Sequence, residues 1–251
     1  MIATYRAKRL VERNVMVYRH TWFILFSGFF EPVFYLFSIG VGIGHLVGSV
    51  EGVPYRTFVA PALMASSAMN GAIFESTMNI FHKLKYAKVY DGVLATPVGV
   101  GDVAAGEITW CLIRGSLYGL GFMVVMAAAG LIESPWGVLA LPAAVLIGFA
   151  FAAVGMAFTS YARSWADFDI IQAVLVPLFL FSATFFPLST YTRPIQIVVQ
   201  ITPLYHGVAL LRSLTLGTVS IGLLWHVAYL AAMGAIGLRI TGRRLARLLL
   251  P

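Results

Sequence analysis

Six stretches of mostly apolar residues limit what this chain can fold into: Trp22–Val47, Thr57–Ile80, Ala104–Gly130, Trp136–Ser160, Ile170–Pro187 and Ser220–Leu238. Crossing the hydrocarbon core of a bilayer takes about 20 such residues in a helix. The runs are continuous, unlike the short alternating strands of an outer-membrane barrel, so helices are the expected spanning form. Of the 251 residues 60% are hydrophobic and 11% charged, with a mean hydropathy of +0.88. Soluble domains carry roughly 25% charged residues, so this chain has too few polar side chains to cover a water-facing surface. The expected fold is an all-α integral membrane protein with six transmembrane helices in one transmembrane domain, 1–251, without a second domain or an internal repeat.

The net charge of +7 and isoelectric point near 9.7 would raise nucleic acid as a partner for a soluble chain. Position points elsewhere, because the basic residues flank the apolar runs. They lie near the N-terminus (Arg6, Lys8, Arg9, Arg13, Arg19), in one loop (Lys83, Lys85, Lys88), at Arg163, and near the C-terminus (Arg239, Arg243, Arg244, Arg247). Six spans starting from a cytoplasmic N-terminus put these thirteen inside and only Arg56, Arg193 and Arg212 outside. That asymmetry predicts both termini in the cytoplasm and membrane lipid, not nucleic acid, as the surroundings. Arg114 falls near the cytoplasmic end of the third span, where it can snorkel.

Residues 1–21 mix basic and apolar positions in a way that suits a helix lying in the inner headgroup layer; a simple positive-inside anchor is the alternative. Residues 188–219 lie outside on this topology, yet they are moderately apolar and cut by Pro187, Pro194 and Pro203 into pieces such as Ile195–Ile201 and Leu204–Leu214, each too short to span. The pattern predicts a re-entrant helical hairpin between the fifth and sixth spans, against a plain loop that would rarely keep such apolar pieces. Small residues recur four apart at Gly40, Gly44 and Gly48, at Ser67 and Gly71, at Gly115 and Gly119, and at Ala144, Gly148 and Ala152. This spacing puts each set on one helix face and allows close backbone packing.

Sites for chemistry are sparse. No Gly-Lys-Ser/Thr phosphate loop exists: Lys8, Lys83, Lys85 and Lys88 follow Ala, His, Leu and Ala. If ATP drives this protein, another chain must bind it. An ion-coupled transporter usually holds titratable groups deep in the bilayer, whereas Glu31, Glu75 and Glu107 all fall away from the expected midplane. Glu75, Glu107 and Arg114 can form an inner-leaflet polar cluster, as structural pairs or as a relay. His45 and His226 lie nearer span ends than centres, with no metal-ligand spacing. Nothing selects a nucleophile–base pair, so no enzymatic activity is expected. The single cysteine, Cys111, excludes an internal disulfide, and the basic, broken first twenty residues do not read as a cleavable signal peptide.

The segment between the second and third spans, 81–103, begins helically and is then punctuated by Asp91-Gly92 and Thr96-Pro97. A short structured helix there suits contact with a peripheral motor; an ordinary connector is the alternative. At this point the chain resembles the type-2 ABC exporter permeases, particularly the branch of nodulation-factor and daunorubicin-type exporters. The likeness is carried by Ala60-Pro61-Ala62-Leu63-Met64 with Glu75 downstream, and by Tyr90-Asp91-Gly92-Val93-Leu94-Ala95-Thr96-Pro97. It is most specific from Ala162-Arg163 through Pro177, Phe181-Ser182 and Phe185-Phe186-Pro187 to Thr202-Pro203-Leu204-Tyr205-His206-Gly207-Val208 and Leu211-Arg212. Where this family often has Ser-Gly, the chain reads Ser182-Ala183-Thr184.

The resemblance implies a permease subunit of an ATP-driven exporter in the bacterial inner membrane, paired with a second permease, identical or homologous. ABC ATPase subunits would dock beneath it, with ATP and Mg bound by them and no cofactor on this chain. The coupling residues it implies are Lys83, Lys85, Tyr90, Asp91, Gly92, Thr96 and Pro97, and the hairpin carries Pro187, Pro203, Tyr205 and His206. It implies a pathway lined by the first, second and fifth spans, for which Phe29, Phe30, Phe34, Phe179 and Phe185 are candidates. The substrate expected is an amphiphile: a drug, a lipid, or a glycolipid or polysaccharide. The rival readings are a stand-alone proton-coupled secondary transporter and a non-transporting assembly or immunity factor.

Overall fold

The computed structural model describes residues 2–19 and 22–249, with side chains given for 6–19, 30 and 33–248. Phe29 and Glu31 therefore lie outside the described side chains. Helix α1 (Ile2–Tyr18) is followed by the 26-residue α2 (Trp22–Val47). A two-residue hairpin joins α2 to the next helix: β1 (Ser49–Val50) pairs antiparallel with β2 (Val53–Pro54). Its turn residues, Glu51 and Gly52, both have positive φ, 52° and 85°, the geometry that tight hairpins require of their central pair.

Helix α3 (Tyr55–Phe74) does not stop where its apolar run weakens. It continues through two π-helical turns, Glu75–Asn79 and His82–Tyr86, as one rod of 32 residues. The first part of the 81–103 segment, expected to begin helically, is thus continuous with the second span as far as Tyr86. Lys88, at φ 44°, then reverses the chain into the short α4 (Val89–Leu94). Helix α5 (Val100–Ala128) starts four residues before the expected Ala104, where Asp102 Oδ2 accepts the Gly99 N–H at 3.0 Å.

After a 3₁₀ turn at Pro135–Leu139 come α6 (Ala140–Thr159), α7 (Asp167–Leu180), α8 (Arg193–Ile201), α9 (Pro203–Leu216) and α10 (Leu223–Leu249). Among the described residues four helical stretches are long and apolar enough to cross a bilayer: Tyr55–Tyr86, Val100–Ala128, Pro135–Thr159 and Leu223–Leu248. The fifth run is corrected. Instead of continuing from Ile170 to Pro187, the helix is only 14 residues long, Asp167–Leu180. It stops because the chain turns sharply afterwards: Ser182 Oγ bonds back to the Leu178 carbonyl and Ala183 takes a left-handed φ of 54°.

Helix α3 is the centre of the bundle, 83% buried over its spanning window, whereas α10 is 22% buried and lies at the periphery. Small residues set these contacts. Gly115 approaches the Ala68 carbonyl, Gly119 meets Ala144, and Gly148 meets Ala72 and Leu112, which brings α3, α5 and α6 together. Helix α10 packs on α6 through Gly237, where an added Cβ would lie 2.7 Å from the Ala153 backbone carbon. Cys111 is fully buried within α5.

Candidate functional site

Two ion pairs sit inside the basic end of the bundle, and both use the π-helical extension of α3. Glu75 pairs with Arg114, both at most 4% exposed. Trp110 Nε1 donates to Glu75 Oε1 at 2.9 Å, Asn79 donates to the same carboxylate, and Arg114 Nε donates to the Tyr118 hydroxyl at 3.0 Å. Four residues from Asn79, Lys83 donates to Glu107 Oε2 at 2.9 Å and to Asn14 Oδ1 at 3.3 Å, while Asn14 Nδ2 donates to Glu107 at 3.1 Å. Charges so buried persist only when they are paired and hydrogen-bonded.

The expected cluster of Glu75, Glu107 and Arg114 therefore divides into two pairs, with Lys83 as the partner that sequence reading did not supply. Lys83 is 7% exposed and faces Glu107, away from solvent. Helix α1 reaches both pairs, through Asn14 at one and through Tyr18, hydrogen-bonded to Asn79 and Arg114, at the other. Burial, with the Glu75 carboxylate second, pushes the Tyr18 phenol up to about 12. Tyr90 of α4 is 1% exposed. Burial and then Glu107 hold its phenol well above the ordinary value of 10.

The other residues suggested for motor contact are on the surface. Lys85, Asp91, Gly92, Thr96 and Pro97 are exposed. A shallow groove of about 480 Å³ runs between α1 and α4, lined in part by Arg9, Arg13, Lys88, Gly92 and Thr96 over a floor that includes Leu10 and Val93. Leu10 packs so closely on α5 that a Cβ at Gly106 would lie 2.8 Å from it.

A cavity of about 890 Å³ opens on the other side of α3. Its walls are Tyr35, Ile39 and Ile43 of α2, Ser66, Asn70 and Phe74 of α3, and Ile171, Leu175 and Phe179 of α7, with Phe185 and Pro187 at one end and Arg114 and Tyr118 toward the ion pairs. Phe179 bridges its front: its ring lies 6.2 Å from Tyr35 and 5.2 Å from Phe185. Phe30 and Phe34 stack on each other at 6.2 Å and are 39% and 66% exposed, on α2 but not among the lining residues. Asn70, Gln172 and Tyr35 line the cavity without having been singled out in the sequence. An Asn in the middle of an apolar run is the signal that finds the first of them.

At the end of the bundle away from the basic residues, α8 and α9 meet at an 88° bend. The Pro203 ring starts α9 and Thr202, extended, forms the corner. Four hydrogen bonds anchor the bend and the helix after it. The Tyr229 hydroxyl donates to the Ile201 carbonyl at 2.7 Å, and His206 and His226 share an Nδ1···Nδ1 hydrogen bond of 2.7 Å. Arg212 donates to the carbonyls of Phe58 at 3.1 Å and Ala183 at 2.8 Å. Tyr205 is half-buried and packs its ring against those of His206 and His226.

A family model for ABC-2 type transporters matches residues 5–216. The chain is similar to Nodulation protein J of Rhizobium meliloti (strain 1021), 32% identical over 222 residues, 88% of this chain and 85% of that protein. It is 35% identical over 201 residues to Nodulation protein J of Rhizobium leguminosarum bv. trifolii, covering 80% of this chain and 77% of that protein. It is also 25% identical over 161 residues to the inner membrane transport permease YadH of Escherichia coli (strain K12), covering 62% and 60% of the two chains.

Proposed function

This chain belongs to the ABC-2 type transporter family, and from that membership we propose that it is the membrane-spanning subunit of an ATP-driven exporter for an amphiphile such as a drug, a lipid or a glycolipid. The observation that carries this reading is the 890 Å³ cavity between α2, α3 and α7, apolar along most of its length. A space of that size suits a lipid-like or drug-sized molecule. In this reading α2, α3, α5, α6, α7 and α10 are the six spans, with both termini in the cytoplasm of a bacterial inner membrane. The α8–α9 pair is a re-entrant hairpin that completes α7 on the outer side, since bent, irregular backbone is tolerated at membrane depth where protein surrounds it. A second permease, identical or homologous, faces the α2–α7 side.

The motor is a pair of ABC ATPase subunits that bind ATP and Mg. They dock on the exposed face of α4 around Asp91, Gly92, Thr96 and Pro97, beside α1. ATP-driven closure displaces α4 and α1, and the displacement has a physical route to the cavity. Asn14 and Tyr18 of α1 are bonded to the two ion pairs, and Arg114 belongs both to a pair and to the cavity lining. Two alternative packings of this bundle, biased by the motor, open the cavity inward or outward. The same ion pairs weigh against a proton-coupled transporter, because Glu75 and Glu107 are already committed to Arg114 and Lys83.

The test is purification from the native host. Co-isolation with a P-loop protein whose vanadate-sensitive ATP hydrolysis is stimulated by exported amphiphile supports the exporter. Flux driven by a pH gradient through this chain alone overturns it, and co-isolation with an ATPase that no amphiphile stimulates identifies an assembly factor. In the complex, Asp91→Trp or Thr96→Trp leaves insertion intact and abolishes export while hydrolysis continues. Unchanged export in both variants removes α4 as the motor contact.

A further inference from the structure

Helix α7 walls the cavity but is lightly seated in the bundle. Of its 14 residues, all of them described, Phe168 alone is buried. Its far end is tied by the turn after it, through Ser182 and the Ala183 carbonyl. Pro177 has no N–H to donate to the Ala173 carbonyl, so the part of the helix before it can tilt while that turn stays in place. The tilt is then set by whatever grips the helix at the basic end of the bundle.

Four rings form that grip: Phe81 and Tyr86 from the extension of α3, Trp165 and Phe168 from the start of α7. In an α-helix residues five apart point about 140° away from each other. The π-helical turn His82–Tyr86 removes that divergence. The Ala87 N–H donates to the His82 carbonyl, five residues back, at 2.9 Å, and the Phe81 and Tyr86 rings come to 6.0 Å. On the α7 side, Asp167 Oδ2 accepts the N–H groups of Arg163 and Ser164 at 2.6 and 3.2 Å, which closes the turn that carries Trp165. The Trp165 and Phe168 rings lie 5.7 Å apart.

The two pairs interlock, and their members have unlike roles. Phe168 is 1% exposed, with its ring 4.9 Å from Phe81 and 6.0 Å from Phe158 of α6, which makes it a pivot. Trp165 lies outside that pivot, edge-to-face with Phe81 at 4.9 Å and stacked on Tyr86 at 5.7 Å. A belt of interfacial aromatic residues would account for rings at this level. It gives no reason for Phe81 and Phe168, each at most 1% exposed, to face one another. Tyr86 stands two residues before Lys88, where the chain reverses into α4. A displacement of α4 therefore reaches Trp165 through a short piece of backbone and one stacked ring.

We propose that Trp165 is a positioning residue that couples α4 to the cavity wall: Tyr86 moves with α4, bears on Trp165, and tilts α7 about Phe168. This rests on the ATPase docking at α4, and it gives the motor a route to the cavity separate from the ion pairs beside α1.

The test is hydrogen–deuterium exchange on the complete complex with its ATPase, in lipid nanodiscs, with and without ATP and vanadate; no amphiphile is needed. Vanadate trapping of the wild type changes exchange at 83–97 and along 167–176. Trp165→Ala keeps ATP hydrolysis and the change at 83–97, but shrinks the α7 response by about threefold or more. Trp165→Tyr, which retains a ring to stack, restores it. Tyr86→Leu, at an exposed side chain, reproduces the loss from the α3 side and serves if Trp165→Ala does not fold. An α7 response that survives both Trp165→Ala and Tyr86→Leu overturns the assignment, and a lowered unfolding midpoint in those variants would then make packing the whole role of the rings. Loss of the response at 83–97 in Trp165→Ala also overturns it, since Trp165 would be a docking residue. If the trapped wild type responds at 83–97 and not in α7, this inference alone fails; if it does not respond at 83–97, the placing of the motor on α4 fails as well.

Discussion

Lys83 and Glu107 meet where α1, α3 and α5 converge, and the charge of each is tolerable only because of the other. Glu107→Ala strands a buried ammonium and is expected to cost about 3–5 kcal/mol, read as a lower unfolding midpoint in detergent. The paired replacement Lys83→Met with Glu107→Leu recovers most of that loss, since an apolar pair of similar volume needs no counter-charge; a double variant as unstable as the single one would show that the charge itself is required. Ala183 presents the opposite case, a residue in a conformation that suits another. Its φ of 54° is left-handed, and its carbonyl is held by Arg212 at 2.8 Å. The family that the sequence resembles often has glycine in this stretch. Ala183→Gly is expected to raise stability by about 1 kcal/mol, the cost of holding a Cβ in that region, and a lower midpoint would contradict it.

Helix contacts in the bundle are set by how closely backbones approach, and the glycines differ in this. An added Cβ at Gly237 would lie 2.7 Å from the Ala153 backbone, whereas at Gly44 its nearest neighbour is the flexible Arg56 side chain at 3.8 Å. Gly237→Leu should therefore separate α10 from α6 and yield aggregated protein on size-exclusion chromatography, while Gly44→Leu should elute as the wild type does. The repeat of small residues in the sequence marks faces that can pack, but not which of them do, because spacing carries no information about the partner helix: a Cβ at Gly48 would meet nothing within 4 Å. For the same reason the apolar runs located α5 and α6 to within a few residues but ended the last span at Leu238, where α10 continues to Leu249, and misjudged α7. Hydropathy continues smoothly through Phe185, while the helix ends where Ala183 forces a turn. The 88° corner at Thr202 was legible because proline marks it locally. The partners of Lys83 and the recess around Asn70 were not, since each depends on residues distant in the chain.

For the whole molecule, α3 does two jobs along its length. Its first half packs the bundle and walls the cavity, and its π-helical half carries Glu75, Asn79 and Lys83 toward α1 and α5. π-Helical turns of this kind recur at functional positions, and here they lie between the surface proposed for the motor and the space proposed for the amphiphile. The complete burial of Cys111 within α5 has a practical consequence. A maleimide too polar to enter the membrane finds no native thiol to modify, so the natural sequence is its own silent background for mapping sidedness. Single thiols placed at Lys85 and at Thr192 should react from opposite faces of sealed vesicles. Modification of both from one face would refute the proposed arrangement of the spans.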